Sequence, residues 1–240
     1  MDAAICAIPN DVTIAMMRGF HARCGESLGN PCLGFVCTKM TSNGDPGLEG
    51  YFIEEAAALA PEERLRFQPD ECPPPFDPAQ LPVIGWDEER NAKARRNYSL
   101  NYIRQMLPAM RAVTGDGFGS DISRRAARLV GLQLFAETSQ MLGGVESGRP
   151  GFAAYLAAML EGCGDEVMVE NEPQQTVITQ SGWRMMRGSK RGTFADFTAW
   201  AELWRGACAA HDAHLSLRVT QVDASDEEPA RAQYRWVLTG

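Results

Sequence analysis

The hydrophobic period changes at His214, and that change constrains the fold more than any other feature of the chain. Before it, Phe197, Trp200, Ala201, Trp204, Ala207, Cys208 and His211 recur at steps of three and four, which sets all seven on one face of an α-helix. Thr193 and Asp196 have the spacing of a capping box at the start of that helix. After His214 the step is two. Leu215, Leu217 and Val219 alternate with Ser216, Arg218 and Thr220, as in a strand buried on one face. An acidic turn at 223–229 leads to a return strand in which Tyr234, Trp236 and Leu238 share a side. Residues 193–238 therefore predict a helix feeding an antiparallel hairpin.

The chain before this segment extends the pattern. Two strands are expected at 167–170 and 176–180, joined by a turn containing Pro173. A helix runs from Pro150 to Leu160 and ends at the glycines flanking Cys163. The three glycines of TGDGFG (114–119) read as a loop, after which Ser120 caps a long helix reaching Leu142. That helix carries Ile122, Ala126 and Leu129 on one side and Leu134, Phe135, Met141 and Leu142 on another, so a central position is expected for it. Asp87 caps an earlier helix with Ile103, Met106, Leu107 and Met110 on its stripe, and Pro108 is expected to kink or end it. Two hairpins separated by a helix give an α+β fold: a four-stranded antiparallel sheet packed against long helices, spanning 83–240.

Residues 1–82 are expected to form a mainly helical N-terminal arm or lid. A helix fits 11–28, with Ile14, Met17 and Phe20 inward, and 32–40 fits a short strand. The stretch 48–67 reads as two short helices split at Pro61. From 68 to 82 the chain has six prolines, a density that forbids helix or central strand and implies an extended connector.

Charge narrows the function. A net charge of −8 and a pI near 5.0 argue against nucleic acid as a partner. No apolar run approaches the roughly 20 residues that span a bilayer, so no membrane partner is expected. The N-terminal residues lack a basic region ahead of an apolar core. Seven cysteines without a repeated spacing suit reduced thiols, and a cytoplasmic protein is expected.

Candidate chemistry concentrates in a few places. Cys208 and His211 are one helical turn apart, the spacing of a thiol activated by an imidazole or of two metal ligands. His214, or His21 with Cys24 at the same separation, would extend the set. The competing reading is a small buried apolar cysteine on a tryptophan-bearing stripe. Gln133, Glu137 and Gln140 form a polar stripe on the long helix and need partners in the protein or in a ligand. Trp183, Arg184 and Arg187 offer an aromatic plane and two guanidinium forks for a carboxylate, with Trp204 as a further wall of the pocket; a solvated turn continuing to Lys190 and Arg191 is the alternative. Cys24, Cys32 and Cys37 fit no common metal module. The basic run Arg90, Lys93, Arg95 and Arg96 reads as a solvated helix face able to attract an acidic segment of a partner subunit. No phosphate-binding, serine-hydrolase or zinc-protease motif is present in the sequence, and no cofactor is assigned.

The long helix with its internal Gly131, the hairpin–helix–hairpin ending, and the pattern WAELWRGACAAHDAHLSLRV (200–219) followed by YRWVL (234–238) resemble the 4-vinyl-reductase-like small-molecule-binding domains. They are similar also to the related L-2-amino-thiazoline-4-carboxylic acid hydrolase-like proteins, over residues 87–240. Where those families commonly place Cys-x-Phe on the last strand, this chain has Tyr234-Arg235-Trp236, so no catalytic residue carries over. The resemblance implies a pocket for a small-molecule ligand between sheet and helices. Together with the helix spacing it gives two readings. In one the chain is a hydrolase acting on a C–N or C–S bond of a small acidic heterocycle, with Cys208 as nucleophile, His211 as base and Arg184 or Arg187 as carboxylate anchor. In the other it is a non-catalytic ligand-binding or sensory domain, or an accessory subunit, working as a homodimer or through a partner subunit.

Overall fold

The computed structural model describes residues 9–75, 77–80, 85–189, 192–222 and 229–240. Lys190, Arg191 and most of the acidic turn, 223–228, lie outside the described residues. Two compact units are formed, Met1–Tyr98 and Ser99–Gly240, and the division falls inside helix α3 (Glu88–Thr114).

The second unit continues with α4 (Asp116–Met141), α5 (Gly148–Gly162), β4 (Glu166–Asn171), β5 (Gln175–Ser181), α6 (Phe194–His211), β6 (Ser216–Gln221) and β7 (Gln233–Thr239). The strands form one antiparallel sheet in the order β4-β5-β7-β6. The fold is α+β, with its four-stranded sheet built from two hairpins that α6 separates. Register aligns the inner face in rows. Ile178, Trp236 and Val219 make one; Thr176, Leu238 and Leu217 flank it; Gln180, Tyr234 and Gln221 make the third. Because side chains alternate faces along a strand, each row shares one side of the sheet.

Helix α6 packs on that face. Phe197 stacks on Tyr234 with ring centroids 3.5 Å apart and planes 12° apart, and Trp236 lies 5.9 Å from the same ring. The Thr193 capping box forms as expected, and Arg111 reinforces it by donating from Nε and Nη2 to the two Asp196 oxygens at 2.9 Å each. Burial extends past the predicted stripe to Ala199, Glu202 and Gly206, because α6 carries the sheet on one side and α4 on another. Where α4 and α6 meet, Gly131 lies against the Leu203 carbonyl and the Ala207 amide, and Gly206 lies against the Arg128 carbonyl and the Leu132 amide. Reciprocal glycines let the two backbones approach more closely than any side chain would allow.

The central helix is therefore α6 rather than α4. Helix α4 buries Gly119, Ser123, Ala126 and Gly131 and leaves Phe118, Leu129, Leu132, Leu134 and Met141 exposed. It also starts earlier than the expected Ser120 cap. Only Gly115, with φ +84°, breaks the chain, and Gly117 and Gly119 are helical. Gly119 serves close approach rather than a loop, since a Cβ there would stand 2.8 Å from the Arg111 Cα. Pro108 does not end α3, which continues to Thr114.

The first unit contains α1 (Asn10–Gly19), α2 (Cys24–Leu28), β1 (Leu33–Lys39), β2 (Glu49–Glu54) and β3 (Leu65–Phe67). Residues 48–67 thus supply two strands instead of two short helices. Strand β1 is central, antiparallel to β2 and parallel to β3, and Met17, Ala22, Phe35, Cys37, Met40 and Leu65 form the apolar cluster. Among the described residues, the proline-rich stretch carries only a 3-10 turn at Pro78–Gln80.

The glycine crossing yields a contrast within one helix. Gly131→Ala should lower stability by about 1–3 kcal/mol, because the added methyl meets backbone that no rotamer change can move. Gly117→Ala meets nothing within 4 Å and should be neutral or stabilising by up to about 1 kcal/mol. Urea unfolding followed by far-UV circular dichroism distinguishes them.

Candidate functional site

Cys208 and His211 share helix α6, but no hydrogen bond joins them. Cys208 is 2% exposed. Burial pushes its thiol up to about 11; the charge of Asp212 adds to this and Arg128 only partly opposes it. At pH 7 about one such thiol in ten thousand is ionised, whereas a nucleophilic cysteine needs a depressed pKa. His211 Nε2 lies 3.0 Å from the Gly148 carbonyl, and its ring sits beside Phe135 and Phe152 at 5.4 and 5.6 Å. A carbonyl only accepts, so Nε2 carries the proton and pins the C-terminal end of α6 to the start of α5. This environment opposes the nucleophile and base roles expected of the pair.

The remaining histidines and cysteines do not extend that site. His214 is exposed. His21 belongs to the first unit, where it stacks on Phe35 at 4.5 Å and burial lowers its pKa. Cys24 donates to the Phe20 carbonyl, and Cys37 to that of Lys39, at 3.4 Å each; burial raises both thiols. Among the described residues no group of three or more His, Cys, Asp or Glu side chains is placed to hold a metal ion.

The expected polar stripe on α4 is corrected as well. Gln133, Glu137 and Gln140 are exposed, because the α4 face that packs is the one carrying Gly131. Trp183, Arg184 and Arg187 do not form one open surface either. Trp183 is 1% exposed and sits edge-on to Phe197 at 5.2 Å, while Arg184 is half-buried and Arg187 exposed. The carboxylate that both arginines act on belongs to the chain itself. It is Asp165.

Asp165 anchors a polar network that the sequence did not signal. Its Oδ1 accepts from the Arg184 amide at 2.7 Å and its Oδ2 from Gln180 Nε2 at 2.8 Å, while Gln180 Oε1 accepts from Trp236 Nε1 at 2.9 Å. Burial dominates and raises the carboxyl to about 6; the two hydrogen bonds and the charges of Arg184 and Arg187 only limit the rise. Glu202 shows the opposite balance. Burial raises it, but hydrogen bonds from Arg205 Nη1 at 2.6 Å and Arg128 Nη1 at 3.0 Å prevail and hold it below the ordinary glutamate range. These networks include bonds between residues 15, 56 and 74 positions apart, separations that no local spacing reveals.

Against these satisfied groups, two donors in the same core stand out. Trp183 Nε1 and Trp204 Nε1 are buried with no hydrogen-bond partner, and both rings belong to the apolar cluster between α5, α6 and the sheet. Trp204 is 2% exposed and edge-on to Trp200 at 5.5 Å. A buried donor left unpaired costs about 1–3 kcal/mol. Most buried polar groups in folded proteins find a partner, in the protein, in water or in a ligand.

No family model matches the chain, and no curated protein matches its sequence. A solved structure from a study of heme distortion in the H-NOX family is similar at a TM-score of 0.36 and 12% identity, covering 72% of this chain and 78% of that one. Another, from work on the mechanism of H-NOX activation, is similar at 0.35 and 13%, covering 66% and 76%. Neither likeness is close enough to establish a shared fold.

Two outcomes follow from the ionisation states. Folded Asp165 binds its proton more tightly than the unfolded chain does, so its contribution to stability is largest below pH 4 and is lost as pH rises through about 6. The stability of the wild type relative to Asp165→Asn should therefore fall by about 2 kcal/mol between pH 4 and 7. Urea titrations at four pH values check this. Iodoacetamide at pH 7.5 should label exposed Cys72 within minutes and leave Cys208 unmodified, as read by peptide mass mapping.

Proposed function

We propose that residues 99–240 form a small-ligand-binding domain that holds an organic molecule non-covalently, and that the chain is not a cysteine hydrolase. The observation that carries this reading is the pair of buried, unpaired indole donors, Trp183 Nε1 and Trp204 Nε1, in a core where the Trp236 donor is satisfied by Gln180. Donors in an apolar aromatic setting suit a molecule with an apolar body and acceptor oxygens. The hydrolase reading requires an ionised thiol, and the surroundings of Cys208 hold it protonated. The resemblance to 4-vinyl-reductase-like domains accords with ligand binding. Trp204 lies on α6, the helix that also carries the Gly206 crossing with α4. A ligand hydrogen-bonded there would thus bear on the helix pair, as a sensory role requires.

Native mass spectrometry of the full chain, purified without denaturant, tests the proposal. The wild type is expected to carry an organic adduct that Trp183→Phe and Trp204→Phe each reduce at least fivefold. A bare wild-type mass contradicts it.

A further inference from the structure

Strand β4 is an edge of the four-stranded sheet, and its turn to β5 fixes which of its backbone groups face outward. The Glu172 amide donates to the Gln175 carbonyl at 2.8 Å, and these two residues continue the β4–β5 register. Hydrogen-bonded pairs alternate with non-bonded ones along an antiparallel ladder, so Glu170, Met168 and Glu166 bond to β5. The amides and carbonyls of Val167, Val169 and Asn171 point the other way, off the edge of the sheet. Natural edges are commonly blunted by a bulge, a proline or shortness. β4 has none of these: its six residues pair in unbroken register, and no proline interrupts them. Apolar surface reaches the edge as well. The inner row of Trp236 and Ile178 ends at Val169, which is 37% exposed, and Met168 on the outer face is 59% exposed.

Charge decides which strand this edge can accept. Glu166 and Glu170 flank Met168 on the outer face and are exposed; across the ladder they meet Ser181 and Val177. Neither is in an ion pair among the described residues. The bases in the outer-face rows of Met168 and Glu170 are Arg235 on β7 and Arg218 on β6. They stand two and three strands away, roughly 10 and 14 Å at the spacing of adjacent strands. A second copy of β4 is a poor occupant. Paired antiparallel in the registers of fullest overlap, it sets Glu166 opposite Glu170 or Glu172, like charge on like. A strand with basic residues at alternate positions meets both glutamates and repels neither.

We infer that β4 is a docking edge for an extended basic segment of a partner protein, which joins the sheet as a fifth strand. Its backbone pairs with Val167, Val169 and Asn171, and its lysines or arginines face Glu166 and Glu170. The small residue between them packs on Met168. This edge does not depend on the ligand proposed for the tryptophan core. A blocked heptapeptide, Thr-Lys-Val-Thr-Val-Lys-Thr, has the required alternation and serves as the probe. Its order of residues is the same from either end, so it presents both lysines whichever way it runs.

The test is a titration of the ¹⁵N-labelled full chain with this peptide, followed by amide chemical shifts. Saturable shifts are expected at Val167, Val169 and Asn171, and the same peptide with glutamate for lysine should bind at least tenfold more weakly. The double variant Glu166→Lys/Glu170→Lys, altered only at exposed positions, should reverse that preference. Val169→Pro removes an outward amide and none that bonds to β5, so it should abolish binding while the sheet persists. The absence of saturable shifts overturns the inference, as does equal binding of the two peptides or an unreversed preference in the double variant. Shifts at the same three amides that depend on protein concentration alone overturn it too, since a second copy would then hold the edge. Unchanged binding in folded Val169→Pro has the same force; if that variant fails to fold, the charge reversal decides.

Discussion

Residues 99–240 depend on one packing arrangement, helix α6 held between the sheet and helix α4. On the sheet side the contact is aromatic, Phe197 flat on Tyr234 with Trp183 edge-on. Full burial of one such ring contributes about 1.5–3 kcal/mol, and the aromatic pairing adds about 0.5–1.5. On the α4 side the contact is backbone on backbone, and only Gly131 and Gly206 permit it. The first contact depends on large side chains and the second on their absence. Between them they bury most of α6, and so they account for a thiol whose pKa is raised and for an imidazole occupied by a carbonyl.

With α6 buried, every polar group it brings inside needs a partner, and most have one. Glu202 meets Arg128 and Arg205, and Asp196 meets Arg111. From the sheet side, Gln180 links Trp236 to Asp165. The low local dielectric that strengthens these networks makes an unmatched donor costly. Among the polar groups of that core the Trp183 and Trp204 indole donors are exceptions, and the ligand proposed above rests on that contrast.

The sequence revealed the hairpin–helix–hairpin arrangement because it is written in local periodicity. The change of step at His214 and the alternation of Tyr234, Trp236 and Leu238 survive folding unchanged. Residues 48–67 misled for the complementary reason. The alanines at 56–58 and 60 and the surrounding glutamates favour helix locally, but Tyr51 to Ile53 pair with Phe35 and its neighbours on β1, and the ladder outweighs propensity. The glycines at 117 and 119 looked like a loop because composition cannot distinguish a turn from a close approach. The candidate site was legible only in part. Trp183 and Trp204 stood out by type, but their unpaired donors depend on neighbours far along the chain. Asp165 looked like one acid among many until Gln180 and Arg184 converged on it. The pairing of Cys208 with His211 was correct as spacing and misleading as chemistry, since a helical turn sets distance but not ionisation.

The most direct test of the central claim is the indole N–H region of a ¹H–¹⁵N spectrum, recorded before and after the chain is unfolded, dialysed free of small molecules and refolded. If a ligand occupies the core, the Trp183 and Trp204 resonances shift upfield on its removal, while that of Trp236, bonded to Gln180, stays in place. If all three are unchanged, the two donors are idle in the native protein and the ligand-binding account is wrong.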